Sequence, residues 1–366
     1  MADTKIEWTD RTWNPTTGCD RISPGCDHCY ALTMARRLKA MGQSKYQRDG
    51  DPKTSGPGFG VSVHADVLAE PLSWASPQRV FVNSMSDLFH PDVPEEFIAQ
   101  VWTVMAKTPQ HTYQVLTKRH ARMRSVVRRI AWRLPTTEER SQGVRGSVAY
   151  VQNSELLNEH LGAPAVLPNV WLGVSVEDQQ WAEARIPALL ETPAAVRFIS
   201  AEPLLGPVNL RRLQVRNRVI DCLGGDVIDP SDGAVLCGTP SVLDWVIVGG
   251  ESGPGARPMH PAWARSLRDQ CELSHASYLF KQWGSWCPPH PKQGQSIYGH
   301  VTNEDACQVV SREGELLGRP WGGWGLTHPD AVVMRRYAKG QAGRLLDERT
   351  WDEFPDTMSQ EVSVHG

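Results

Sequence analysis

Short apolar runs rich in β-branched residues recur along this chain, and most are followed by a helical pattern. The alternation is the strongest constraint on the fold, because neighbouring parallel strands must be joined by a crossover, usually a helix. A weak first run lies at residues 5–13. Clear runs follow at 79–83, 112–117, 170–175, 196–200, 245–248 and 278–280. Their near-continuous apolar character predicts strands buried on both faces. Helical patterns occupy 30–41, 94–107, 120–134, 177–190 and 260–273. The second opens with Pro94-Glu95-Glu96, which suits a helix N-terminus.

Six or seven such units predict an α/β chain. Its expected form is a complete or partial TIM-like (β/α) barrel with loop insertions and a C-terminal extension. An open doubly wound sheet is the alternative. The barrel is expected over residues 1–284, with insertions at about 135–168 and 213–243, where the rhythm gives way to polar or Gly-, Asp- and Pro-rich sequence. From residue 285 to 366 Gly, Pro, Trp and His dominate, which predicts an extension packed on the barrel.

With 40% apolar and 22% charged residues, the chain can bury a substantial core. It has no apolar run long enough to span a bilayer and no basic-then-apolar leader, so no membrane association and a cytoplasmic location are expected. In that compartment thiols stay reduced. The eight cysteines are therefore read first as metal ligands, nucleophiles or core residues.

Three of them stand together in Cys19-x6-Cys26-x2-Cys29, on a Gly- and Pro-containing loop that opens the first helical pattern. Three thiolates can hold three irons of a [4Fe–4S] cubane and leave the fourth open. An open iron can bind the amino and carboxylate groups of S-adenosylmethionine and pass an electron to its sulfonium, giving a 5′-deoxyadenosyl radical. With His28 the same group can instead form a structural zinc site, although zinc modules usually carry two separated ligand pairs. A loop after the first strand of a βα repeat is where barrels place their chemistry, which favours the cluster.

The loop, the βα repeat and Tyr30 after the last cysteine resemble the radical S-adenosylmethionine superfamily, whose usual spacing is Cys-x3-Cys-x2-Cys. More closely, the chain resembles a little-characterised phage-type family with a three-cysteine motif. The segments that carry this likeness are Trp13-Asn-Pro-Thr-Thr-Gly-Cys19, Ser23-Pro-Gly-Cys26-Asp-His-Cys29-Tyr-Ala31, Asn83-Ser-Met-Ser-Asp87, Leu116-Thr-Lys-Arg119, Gly249-Gly-Glu-Ser-Gly253, Phe280-Lys-Gln-Trp-Gly284 and Ala342-Gly-Arg-Leu-Leu-Asp347. The resemblance implies a radical S-adenosylmethionine enzyme. It also implies that Asn83, Ser84, Ser86 and Asp87 meet the amino group of S-adenosylmethionine, and that a separately encoded protein partner exists.

Other polar residues follow the remaining strand runs. Ser175 and Glu177 are candidates for ribose hydroxyls, Ser200 and Glu202 stand at the next strand end, and Gly249, Gly250 and Glu251 can let the backbone approach a cofactor, with Arg257 as a clamp. Lys118, Arg119, Lys281 and Trp283 are candidate substrate contacts. Cys287, close to the last strand run, is a candidate hydrogen-atom donor. Residues 107–145 hold ten Lys or Arg against two Glu, and Arg122 and Arg129 fall on one predicted helical face. That face suggests DNA or RNA as substrate, with base modification or repair as the chemistry. The alternatives are radical modification of a protein or peptide partner and a non-catalytic zinc-stabilised binding module. The radical readings also require an electron donor.

Overall fold

The computed structural model of the chain describes residues 4, 6–152, 166–239, 241–289, 307–318, 328–338 and 340–356. Seven strands form one sheet: β1 (Arg11–Trp13), β2 (Arg79–Val82), β3 (Thr112–Thr117), β4 (Val170–Ser175), β5 (Val196–Ala201), β6 (Trp245–Gly249) and β7 (Ser277–Gln282). All six neighbouring pairs are parallel, and the spatial order is the sequence order. The order never reverses, so the sheet lacks the switch point of a doubly wound fold.

Helices α1 (Tyr30–Ala40), α2 (Glu95–Lys107), α3 (His120–Arg128), α4 (Gln179–Leu190) and α5 (Pro261–Glu272) lie between strands. Their starts follow local chemistry. Asp178 accepts a hydrogen bond from Trp181 N at the start of α4, and His260 accepts one from Ala262 N before Pro261.

The third helical pattern is shorter than the sequence predicts. α3 stops at Arg128, and Ile130–Arg133 pairs antiparallel with Val148–Val151. Its period-2 alternation buries Ile130 and packs Trp132 against the core, while Ala149 N of the hairpin bonds Thr103 on α2. Among the described residues no helix joins β5 to β6. The insertion there is an antiparallel meander of Leu213–Val215, Arg218–Asp221, Asp226–Ile228 and Val235–Gly238. A second antiparallel sheet, built from Trp286–Cys287, Cys307–Val310, Leu316–Gly318 and Val332–Arg336, follows β7.

The seven-stranded sheet curls. Trp8 packs its ring 4.7 Å from Phe81 on β2 and 6.4 Å from Trp245 on β6. In a flat sheet, four strand spacings would separate those strands by about 19 Å. The concave face therefore wraps around an aromatic plug of Trp8, Phe81, Trp171, Phe198 and Trp245 at the N-terminal ends of the strands. Gly173 lies one inward position above Trp171, and the Phe198 ring fills the space beside it: a Cβ on Gly173 would stand 2.5 Å from that ring.

β1 and β7 are the two sheet edges and do not pair with each other. The C-terminal segment occupies the seam at the base. Phe280 N bonds Trp351 O at 2.9 Å and Glu353 N bonds Tyr278 O at 3.2 Å, while Phe354 lies against Trp245 and under the Arg79 guanidinium at the start of β2. Among the described residues no helix is long and apolar enough to cross a membrane. Because Trp8 joins strands far apart in the sheet, Trp8→Ala is expected to cost about 3–5 kcal/mol. Urea unfolding checks this, and Trp8→Phe is expected to retain more of the stability.

Candidate functional site

The C-terminal ends of the strands carry the polar layer. After β1 the chain pairs Thr16–Thr17 with Ser62–Val63 and turns at Gly18, whose φ is +87° and whose missing side chain leaves room for the Gly60 carbonyl. The cysteine loop follows. Ser23 precedes a single 3-10 turn, Pro24–Cys26, and Cys29 caps α1. Ala31 and Ala35 on α1 pack against Phe59 and Met85, with Cys19 and Cys29 at the edge of the same cluster.

Beneath the loop lies Glu177, fully buried just past β4. It accepts Ser23 Oγ at 2.7 Å and Arg185 Nη1 at 2.8 Å, and Lys118 Nζ stands 3.3 Å away. Gly25 rests on the same carboxylate, with no space for a side chain. Burial raises the Glu177 pKa, but Lys118, Arg185 and the Ser23 hydrogen bond outweigh it and hold the carboxyl below its ordinary value. A second clamp comes from β6. Glu251 accepts Arg257 N and Nε at 2.8 Å and Nη2 at 2.6 Å, and Arg257 Nη2 also donates to Pro24 O at 2.8 Å. A third tie is Asp20, which accepts the Thr54 and Ser55 hydroxyls and pairs with buried His90 at 2.9 Å.

Three basic side chains lie near the thiols of the loop. Cys26 interacts with both Cys19 and Cys29. Arg119, Lys118 and Arg185 lie within electrostatic reach of Cys19, Cys29 and Cys26 respectively. Burial pushes the Cys19 thiol up to about 12; Asp87 adds to the shift and Arg119 opposes it. Burial also raises Cys29, against the pull of the first amides of α1 and Lys118. Among the described residues several shielded donors have no hydrogen-bond partner: Arg119 Nε and Nη2, Arg185 Nε and Nη2, and Asn83 Nδ2. Tyr30 reaches from the loop to the Ser84 carbonyl with 57% of its surface still accessible.

The strand-end residues singled out in the sequence divide into groups. Asn83 takes a left-handed φ of +65° and accepts Thr16 N. Ser84 bonds Asn14, and Ser86 bonds Thr16. Asp87 accepts the Thr117 hydroxyl and Lys118 N, joining the β2 and β3 ends. These four build the floor under Cys19. The Ser175 carbonyl accepts Arg185. Gly249 makes room for Glu202, which pairs with Lys281 at 3.0 Å, and Gly250 makes room for the Trp283 carbonyl.

Trp283 is 4% exposed, with its indole N–H on Leu345 O, so it packs under the C-terminal segment and offers no stacking face. Cys287 is fully buried in the main hydrophobic cluster, opposite Arg335 in the second antiparallel sheet. The basic face suggested by the sequence is largely used within the chain. Arg122 donates to the His90 and Val93 carbonyls, Arg129 forms a two-pronged pair with Glu95 and bonds Gln152 O, and Arg124 and Arg133 pair with Glu191 and Glu139. With α3 ending at Arg128, Arg129 and Arg133 do not share its surface.

Sequence reasoning missed Arg185 and the role of Ser23. A lone Arg in a helical pattern reads as a solvated charge, and only the tertiary structure places it, completely buried, on a carboxylate.

One family model matches residues 3–355, and its description is a protein of unknown function, DUF5131. No curated protein and no solved structure matches. This corrects the membership expected from the sequence: the match spans the chain, and nothing in it indicates the radical S-adenosylmethionine superfamily.

Two outcomes follow from the ion pairs. Glu177→Ala strands Lys118 and Arg185 in a buried site, so it is expected to cost about 3–5 kcal/mol in urea unfolding. Glu95, hydrogen-bonded to Arg129, has a folded pKa below its ordinary 4.5. Its contribution is fully present above the unfolded value and is lost as pH falls through the folded one. Arg129→Gln should therefore destabilise most at neutral pH, and the gap to wild type should narrow toward pH 3 in parallel urea titrations.

Proposed function

The chain belongs to the DUF5131 family, whose description assigns no function, and we propose from its own site that it binds a [4Fe–4S] cluster through Cys19, Cys26 and Cys29 and is an S-adenosylmethionine-cleaving enzyme. What supports this reading is three cysteines on one loop after the first strand of a curled parallel sheet, with three basic side chains in electrostatic reach, two of which carry shielded N–H groups without a hydrogen-bond partner among the described residues. The other five cysteines lie on other elements: Cys222, Cys271 and Cys287 in the main core, Cys237 exposed on the meander and Cys307 in the second antiparallel sheet. Three thiolates and no fourth suit a cubane with one iron left for a ligand.

The donor chemistry fits as well. Thiolates on a cluster form an anion, and the unpartnered N–H groups of Arg119 and Arg185 supply positive charge and hydrogen bonds around it. Among the described residues no three His, Cys, Asp or Glu side chains converge to hold one metal ion.

Cys19, Cys26 and Cys29 would hold the cluster, which, when bound and reduced by an external one-electron donor, would supply the electron for reductive cleavage of S-adenosylmethionine. The chain's residues hold and shield the site. Glu177, Ser23 and Arg257 fix the loop, and the aromatic plug keeps water from the base of the concavity. We read the curled sheet, with the C-terminal segment in its seam, as a partial (β/α) barrel.

Anaerobic reconstitution of the full chain is expected to give brown protein with about four irons and four sulfides per chain. Incubation with dithionite and S-adenosylmethionine is expected to yield 5′-deoxyadenosine, and the Cys19→Ala, Cys26→Ala and Cys29→Ala variants should yield none. Retention of zinc without iron, or a loaded protein that leaves S-adenosylmethionine intact, overturns the reading.

A further inference from the structure

Arg119 stands at the end of β3, immediately before α3. Its amide is fixed on Thr117 Oγ1 at 2.8 Å, and Thr117 is fixed in turn on Asp87. The guanidinium is half-buried and within electrostatic reach of Cys19, and its Nε and Nη2 are shielded from solvent and without a hydrogen-bond partner among the described residues. The other basic groups near the thiols are tied to a carboxylate: Lys118 and Arg185 share Glu177, and Arg257 is held by Glu251. No ion pair to Arg119 occurs among the described residues. A buried donor left unpaired costs on the order of 1–3 kcal/mol, and more when charged. A positioned guanidinium with unpartnered donors therefore points to an anion that satisfies it, and Cys19, once deprotonated on a metal, is an anionic group within its electrostatic reach.

We propose that Arg119 is a positioning residue that sets the reduction potential of the site, by donating hydrogen bonds to the Cys19 sulfur and neighbouring cluster sulfide. The inference rests on the cluster reading above and deepens it. Adding one electron makes the cluster more negative, so a fixed cation and N–H···S bonds stabilise the reduced form more than the oxidised one. Removing them should make reduction harder. The competing use of Arg119, binding the carboxylate of a ligand at the open iron, leaves the ligand-free potential unchanged.

The test is a redox titration of reconstituted full-length protein without S-adenosylmethionine, followed by electron paramagnetic resonance and reported as the ratio of reduced to oxidised cluster at a fixed poise. At the poise where the wild type is half reduced, Arg119→Met is expected to lower that ratio at least tenfold, which is about 59 mV for one electron. Arg119→Lys should recover part of the loss. Arg124→Gln, which alters only a surface pair with Glu191, should match the wild type. A ratio within twofold of wild type for Arg119→Met overturns the proposal, even if S-adenosylmethionine then binds more weakly. So does failure of every Arg119 variant to load a cluster that the wild type accepts, because the residue is then a folding determinant. Failure of the wild type itself to load a cluster overturns the cluster reading instead.

Discussion

The buried carboxylate of Glu177 is the constraint on which the mouth of the sheet depends. It holds Ser23 of the cysteine loop, Lys118 from the end of β3 and Arg185 from α4, so three separate parts of the chain converge on one group. Burying a carboxylate is unfavourable unless its lone pairs are satisfied and its charge is met. Here two cations answer one anion, which leaves a local positive excess beneath the thiols. Arg119 adds to it. Arg119 and Lys118 pull Cys19 and Cys29 toward the thiolate, the form in which cysteine binds metal, against the burial that raises both.

The concave face divides by height. Its base is aromatic, with Trp8 joining β2 and β6 through edge-on contacts and β5 through a tilted one. Small residues follow, and then the charged layer of Glu177, Glu202, Glu251 and Lys281 at the strand ends. The same inward positions that carry Trp171, Gly173 and Ser175 along β4 lead to Glu177, so one strand takes the chain from core to site. The plug supports the curl, and the curl brings distant strand ends close enough for Arg257, which follows β6, to reach Pro24 in the loop after β1.

Much of this was legible in the sequence, for identifiable reasons. Parallel strands are covered on both faces, so the runs at 112–117, 170–175 and 245–248 stand out as apolar blocks. The cysteines are close in sequence, and their meeting requires only a short loop. The reading fails where local pattern and tertiary pairing compete. Residues 130–133 continue a helical pattern, yet Ile130 and Trp132 pack as alternate residues of a strand once Val148–Val151 lies beside them. Arg122 and Arg129 looked like a surface for phosphates. Their partners, the His90 and Val93 carbonyls and Glu95, lie on other elements and leave no mark around the arginines in sequence.

The sequence by itself determined the βα rhythm, the loop that carries Cys19, Cys26 and Cys29, and the presence of polar residues at the strand ends. These depend on near neighbours and on the period of apolar residues. Only the tertiary structure decided which polar residues serve the loop, which serve the core, and how the seam between β1 and β7 is filled. Ser23 and Glu177 are 154 residues apart, and Phe354 meets Trp245 from the far end of the chain. Contacts of that range are fixed by the curl of the whole sheet, and no local propensity encodes them.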